Sequence, residues 1–501
     1  MGRMERKMDE IKAQKKNLIM FPLGTVGRDM VYYLFTSCIM TFVLFTRNLT
    51  NAQFAAITAI VVAARVFDAL NDPIMGNIIE RTRSRFGKFK PWLVIGMLLT
   101  AAVVIAAFNT KLQGWGFVWF FAFIYFMYSI TYTMHDISYW GMVPALGSDA
   151  DARNQFTARA TLCAGVGSTL ASVLIPMLTT GSSAIGGSAT TAYGVISIVV
   201  CIIAPAFLAF TVFGVHENRD DQQTEAEPFS FKRLVKTITG NDQLLWVSLI
   251  FLIQQIGNGL IINGLGPTYI YFEFGYEGGL FSLFSIVGMS ATAFLMIFYP
   301  AISRRINRKP LMGIMLIISM TGYALMLLAG LLMPPTMVKF WCMTIGYMLS
   351  NFGQYGYYLV MMISIINTVE YNEYRFGKRE EAVIASLRPF LTKMASALIV
   401  LITNAAYIIF GVIEHSNRIS DFENQAARQL ITEQAKSDGI AQVIAGVSNG
   451  ETLALLLCMV LIPAALMLCS YLMYKKHYRL DEDEYARICA ELAKRKEEAR
   501  A

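Results

Sequence analysis

Apolar runs of about 20 residues recur from one end of this chain to the other, and no other feature restricts its fold so tightly. A run of that length crosses a bilayer as a helix, because in hydrocarbon each backbone N–H and C=O must find its partner within the segment. Twelve spans are predicted, at roughly 17–46, 51–80, 89–108, 115–146, 154–180, 191–214, 242–272, 278–301, 309–332, 337–368, 381–413 and 449–474. The 501 residues are 55% hydrophobic and only 15% charged, where soluble proteins are about a quarter charged. The expected class is an all-α membrane protein with twelve transmembrane helices.

Charge placement sets the expected orientation. Arg and Lys crowd the N-terminus and alternate loops, at Arg81, Arg83, Arg85, Lys88 and Lys90, then Lys232, Arg233 and Lys236, then Arg304, Arg305, Arg308 and Lys309, then Arg375, Lys378 and Arg379. The intervening loops hold little beyond Arg47, Lys111 and Lys339. The positive-inside rule therefore puts both termini in the cytoplasm of a multi-pass plasma (inner) membrane protein. It also accounts for the net charge of +7 without a nucleic-acid partner. Residues 1–16 are polar and lack the apolar core of a signal peptide, and Arg6 breaks the myristoylation pattern. The seven cysteines form no CxxC pair and indicate neither a disulfide framework nor a metal centre. No cofactor and no obligate protein partner is implied. The stretch 415–448 is long, polar and mixed in charge, and reads as an external amphipathic or loose segment.

The chain divides about a polar stretch, "HENRDDQQTEAEPFSFKRLVKTITGND". The predicted organisation is an N-terminal six-helix bundle over 1–215, a cytoplasmic linker over 216–241, and a C-terminal six-helix bundle with a cytoplasmic tail over 242–501. The halves echo each other. "ERTRSRFGKFKPW" after the second span matches "SRRINRKPLM" after the eighth, and long polar joins follow the fourth and tenth spans. Two repeated bundles related by an axis along the membrane normal describe the major facilitator fold.

Charges inside spans need a reason, since each costs about 2.5–3.5 kcal/mol at mid-membrane even on insertion scales. In "RVFDALNDPIMG", Asp68 and Asp72 share one helix face, with Asn71 on an adjacent flank and Arg65 nearby. Two carboxylates so close either hold a cation or share a proton. Hard oxygen ligands suit an alkali ion, so Na⁺ at Asp68 and Asp72 is the candidate, with Thr133 of the fourth span able to add a hydroxyl. Pro73 is expected to kink the helix. The bland alternative is a wet helix end neutralised by Arg65 and the basic loop, although that loop starts only at Arg81, roughly 13 Å further on.

A second constellation pairs Asp136 with Trp140, again one turn apart in "TYTMHDISYWGMVP". A carboxylate beside an indole suits a sugar, whose hydroxyls donate to the acid while its apolar face lies on the ring. Asp29 and Arg28 of the first span can complete such a site. The alternative makes Trp140 an interfacial residue and Asp136 a structural partner of an arginine. His135 points about 100° away from Asp136 on a helix, and reads as packing more readily than as a proton relay. Arg159 lies early in the fifth span, while Arg388 and Lys393 lie in the eleventh. Counting these, five in-span cations face four anions. The missing anion can arrive with the solute, with Arg388 as a bidentate clamp for an acidic sugar, though Arg388 reads more readily as a residue that snorkels to the membrane face. The glycines of "GNGLIINGLG" are expected to let helices approach closely or bend.

With "GRDM", "RVFDALNDPIMG", "TRSRFGKFKPW", "TYTMHDISYWGMVP" and "TVEYNEYRFGKREE" in this order, the chain resembles the glycoside–pentoside–hexuronide:cation symporters, the melibiose permease family, over essentially its whole length. The resemblance implies a cation site at Asp68, Asn71, Asp72 and Thr133. It implies a sugar site at Asp29, Asp136 and Trp140 with Arg28 beside it, and a coupling lysine at Lys393 approaching the cation site. Tyr358 stands where the family has a pocket tryptophan. Asn367 replaces an acidic residue, Pro389 replaces a pocket hydroxyl, and Arg159 aligns with a one-residue shift. The expected function is a secondary active symporter that imports a sugar or glycoside, including an acidic one, coupled to Na⁺ or H⁺ by alternating access. The alternatives are a cation-coupled carrier of a non-sugar solute such as a lysolipid, and a non-transporting sugar sensor. No nucleophile–base or metal set points to an enzyme.

Overall fold

The structure, a computed structural model, describes residues 2–146, 150–215, 231–378 and 380–498. Most of the predicted linker, 216–230, lies outside them. The elements in chain order are α1 (Gly2–Thr36), α2 (Ile39–Thr46), α3 (Asn51–Arg81), α4 (Lys90–Asn109), α5 (Gly114–Gly141), α6 (Val143–Leu146), α7 (Ala150–Thr179), α8 (Ala189–Gly214), α9 (Phe231–Gly240), α10 (Asp242–Leu260), α11 (Gly266–Phe274), α12 (Gly278–Ser303), α13 (Arg308–Leu332), α14 (Met337–Phe376), α15 (Glu381–Ile409), α16 (Val412–Ala427), α17 (Glu433–Ala445), α18 (Asn449–His477) and α19 (Glu482–Glu498). Among the described residues, ten helices are long and apolar enough to cross a membrane, or up to 11 if the bent pair α1–α2 is one span. Helix α14, at 40 residues, covers the remaining predicted span but is not among them.

Two predicted spans are broken well inside their length. The first bends by 41° between α1 and α2. There Thr36 Oγ1 donates back to Tyr32 O at 2.7 Å, a side-chain bond that competes with the helical ladder at the break. The seventh is interrupted by a π-turn over Ile261–Leu265, where Gly264 leaves helical geometry at φ −125, ψ −108. The glycine-rich stretch does both things expected of it: it bends the span, and it sets Gly264 against the Thr403 hydroxyl of α15. Helix α3, by contrast, runs uninterrupted through Pro73. A capping box starts it, with Gln53 N donating to Thr50 Oγ1 and Thr50 N donating to Gln53 Oε1 at 3.0 Å.

Packing divides the chain into two units. The first comprises Met1–Pro228, Gly275–Ser282 and Gly411–Gly446; the second comprises Phe229–Phe274, Leu283–Phe410 and Val447–Ala501. In the first, α1 packs against both α7 and α8, and α5 against α3 and α4. Glycines allow the close approach. A Cβ at Gly27 would overlap the Ala204 backbone of α8, and one at Gly167 would overlap the Val26 carbonyl of α1. Replacing Gly27 with Leu is expected to destabilise the unit by about 1–3 kcal/mol through overpacking. A thermal unfolding midpoint in detergent equal to that of the wild type would contradict this contact.

In the second unit α13 packs on α14, and α10 against α14, α15 and α18. The tail helix α19 lies on α14. Glu482 Oε1 accepts from Arg308 Nε at 2.9 Å and from Arg308 N at 2.7 Å, and Lys309 pairs with Asp481 at 3.0 Å. The stretch 415–448 is largely helical: α16 and α17 form a hairpin that packs within the first unit.

Candidate functional site

Three helices of the first unit, α1, α3 and α5, bring the chemistry together. Arg28 of α1 is the centre of one cluster. Its Nη2 and Nε donate to Asp29 Oδ2 at 2.7 and 2.9 Å, and its Nη1 donates to Asp136 Oδ1 on α5 at 3.0 Å. The guanidinium lies 5.2 Å from the centroid of the Trp140 ring and 5.3 Å from that of Tyr139. Three features of an arginine are used at once: charge, a rigid donor fork and a flat face that stacks on aromatics. The helices are pinned at this level, since Tyr139 OH donates to Phe21 O and the two rings stack at 4.3 Å. The Arg28 and Asp29 side chains are 5% and 14% exposed, whereas Asp136 keeps 37%. Asp136 is therefore both held by a cation and partly exposed.

The second cluster uses α3 and α5. Thr133 Oγ1 donates to Asp72 Oδ1 at 3.1 Å, and Arg65 Nη1 lies 3.9 Å from Asp68 Oδ2. Asp68, Asn71 and Thr133 are buried, and the Asn71 amide nitrogen is buried without a hydrogen-bond partner. Two carboxylates, a hydroxyl and an amide on these two helices offer oxygen atoms of the kind a small hard cation takes.

Tyrosines join the clusters, a feature the sequence reading missed. Tyr132 and Tyr128 of α5 stack at 5.4 Å, Tyr128 stacks on Phe35 of α1 at 3.7 Å, and Tyr32 leans on Tyr132 at 5.3 Å. Tyr125, one step further, sits 5.9 Å from the Arg65 guanidinium. The signal was present as helical spacing: 125, 128, 132, 136 and 140 advance along one side of α5 by three or four residues.

Other predicted residues stand elsewhere. Arg159 is exposed on α7 and donates to Leu18 O at 3.3 Å, so its partner is a carbonyl of α1 and not the Asp29/Asp136 pair. His135 turns away from the acidic cluster. It is fully buried, with Nδ1 3.1 Å from Leu93 O of α4. In the second unit, half-buried Tyr358 packs against Phe251 at 5.9 Å and Tyr355 at 5.5 Å. Arg388 is exposed on α15 near Tyr355, and Lys393 is half-buried further along the same helix.

The charge count of the first unit differs from that of the whole chain, because Arg388 and Lys393 belong to the second unit. Within the spans of the first unit, Asp29, Asp68, Asp72 and Asp136 stand with two buried arginines, Arg28 and Arg65, while Arg159 is exposed. The local excess is negative, which favours uptake of a cation.

The chain is similar to several known proteins. A lactose permease of Leuconostoc lactis is 29% identical over 402 residues, covering 76% of this chain and 60% of the permease. A raffinose carrier protein of Pediococcus pentosaceus is 26% identical over 492 residues, covering 95% of this chain and 71% of the carrier. The chain thus spans 60% of the length of that lactose permease. A crystal structure of a D-xylose-proton symporter aligns with a TM-score of 0.56 at 12% identity, covering 83% of this chain and 96% of the symporter. An inward-facing bacterial homolog of the human lysosomal transporter Spinster aligns with a TM-score of 0.58 at 12% identity, covering 93% and 98%. At such identity these structures establish the fold, an all-α major facilitator architecture in a multi-pass membrane protein. The family model of MFS/sugar transport proteins matches residues 20–482, and the chain belongs to that family.

Proposed function

We propose that the chain is a secondary active sugar symporter, with Asp136 and Asp29 accepting from sugar hydroxyls beside Trp140 and with a monovalent cation bound at Asp68, Asn71, Asp72 and Thr133. One observation carries the reading: the Arg28-bridged acidic pair and the Asp72–Thr133 contact share helix α5, one turn apart. A cation that neutralises Asp72 bears on the rotation and position of α5, and so on Asp136 one turn from Thr133. Each ligand then improves the binding of the other by the same factor, as linkage requires. Arg65 holds Asp68, and Lys393 of the second unit is the proposed coupling cation. The carrier works by alternating access between its two bundles, in a plasma (inner) membrane with both termini cytoplasmic.

The names of the relatives, lactose permease and raffinose carrier, favour a neutral oligosaccharide as the solute. An acidic sugar clamped by exposed Arg388 is the second reading, and it rests on that residue's position beside Tyr355 and Tyr358. The test is uptake of radiolabelled oligosaccharides into vesicles, with and without a Na⁺ or H⁺ gradient, in competition with uronides. Gradient-dependent accumulation of a neutral sugar is the expected result. Uptake of none of them, with or without a gradient, would overturn the sugar reading. Stronger competition by uronides that disappears in Arg388→Gln would establish the acidic solute.

A further inference from the structure

Glu423 is an ionisable group that transport, as read above, leaves unused. It lies on α16, outside the spans, and is fully buried. Its Oε2 accepts from Ala189 N, the first residue of α8, at 2.6 Å, while Oε1 is buried without a hydrogen-bond partner. The Tyr276 hydroxyl stands beside the carboxyl. Lys436 of α17, 2% exposed, is the nearby cation, but its Nζ donates to the carbonyls of Gly187 at 2.7 Å and Gly181 at 3.5 Å. Of the other elements packed on α16, α2 reads IMTFVLFT, the first turn of α8 reads ATTA and residues 185–187 read IGG, without charge. Arg47, which caps α2, donates to Thr110 O at 2.8 Å, Glu433 and Asp438 of α17 are exposed, and Glu277 beside Tyr276 accepts from Ser182 Oγ at 3.1 Å. On α16 itself, Asp421 is engaged by Asn48, and Glu414 by Arg418 at 2.7 Å.

Asparagine side chains form much of the surrounding seam. Asn417 exchanges two hydrogen bonds with the Leu49 backbone at 3.0 and 2.9 Å, and Asn424 Nδ2 donates to Thr46 O at 3.0 Å. These tie the hairpin to the ends of α2 and α8. Its flanking helices α15 and α18 belong to the second unit, and the chain enters the hairpin at Gly411, whose φ of 73° suits glycine.

We propose that Glu423 is a proton-binding site that sets how firmly the 411–446 hairpin is held on the first unit, the neutral carboxyl holding it and the ionised one loosening it. The geometry supplies both halves of this switch. A proton on Oε1 leaves the Ala189 bond to Oε2 intact and gives the unpartnered oxygen a hydrogen to donate. An ionised carboxylate in the same position is buried with one backbone donor, a neighbouring hydroxyl and a cation committed to carbonyls.

Burial pushes the Glu423 carboxyl up to about 7, against the opposing pull of Lys436, the Ala189 N–H and Tyr276. The docked value exceeds that of an exposed glutamate, about 4.3. Docking is therefore strongest below that exposed value and weakens as pH rises, with the full loss present above about 7. A separation of this kind changes the docking equilibrium on the order of a hundredfold.

Hydrogen–deuterium exchange of the full chain in lipid nanodiscs, from pH 5.5 to 8.5 and corrected for intrinsic rates, tests this directly. Protection of residues 412–427 is expected to fall through neutral pH in the wild type. Glu423→Gln, which mimics the neutral acid, should stay protected at all pH values. Lys436→Met should move the midpoint upward, because it removes the attracting cation. Amides of α18 report whether each variant is folded. A flat wild-type profile, or the same slope in Glu423→Gln, would overturn the proposal, as would an unmoved midpoint in folded Lys436→Met.

Discussion

Asp72→Asn is expected to abolish cation-driven accumulation while leaving the protein folded and in the membrane. The carboxylate accepts from Thr133 at 3.1 Å and stands one helical turn from Asp68. Removing one charge from a partly buried ionic site costs about 3 kcal/mol or more, which is on the order of a hundredfold in ion affinity. A ligand shifts a conformational equilibrium only by its differential affinity, so a carrier that has lost its ion loses concentrative power. Sugar is then expected to equilibrate across the membrane and go no further. Vesicles given a Na⁺ or H⁺ gradient report this as the steady-state ratio of inside to outside solute. A ratio for Asp72→Asn that still tracks the gradient would place the coupling ion elsewhere. Thr133→Ala should weaken ion affinity by less, since it removes a neutral ligand and leaves both carboxylates.

Asp136→Asn should act on the sugar instead. Its carboxylate is held by Arg28 and stays 37% exposed, so it is anchored and still reachable. Hydrogen bonds to a charged group are worth about 1.5–3 kcal/mol, and their loss is expected to lower sugar affinity roughly 10- to 100-fold. The variant also leaves Arg28 ion-paired to Asp29 alone, while the amide oxygen can still accept from Nη1. Isothermal titration with sugar and, separately, with cation distinguishes the effects. Sugar affinity should collapse, while cation affinity changes only through linkage. Unchanged sugar affinity would remove Asp136 from the binding site and leave it a structural partner of Arg28.

The amino-acid sequence alone determined the chain's class, most of its spans and the pairs of residues that share a helix face. Those properties are local. A 20-residue apolar run must be helical in hydrocarbon, and a spacing of four puts Asp68 beside Asp72 whatever else the chain does. Close approach at Gly264 was legible for the same reason, since a missing Cβ is a local fact with one steric consequence. The placement of Asp136 and Thr133 on one helix was equally plain.

Tertiary structure decided which faces meet. Arg28 reaches Asp136 across 108 positions, and Thr133 reaches Asp72 across 61. Both contacts depend on the rotation and axial register of α1, α3 and α5. Among the contacts that fix α1 is the close approach of Gly27 to the Ala204 backbone and of Gly167 to the Val26 carbonyl. The same register stacks Tyr128 on Phe35 and turns His135 toward α4. It leaves Arg159 on an exposed flank, bonded to a carbonyl of α1. The hairpin is the clearest case. Its polarity announced a segment outside the membrane, but only the packed chain buries Glu423 against the first amide of α8, because no local pattern specifies a partner 234 residues away.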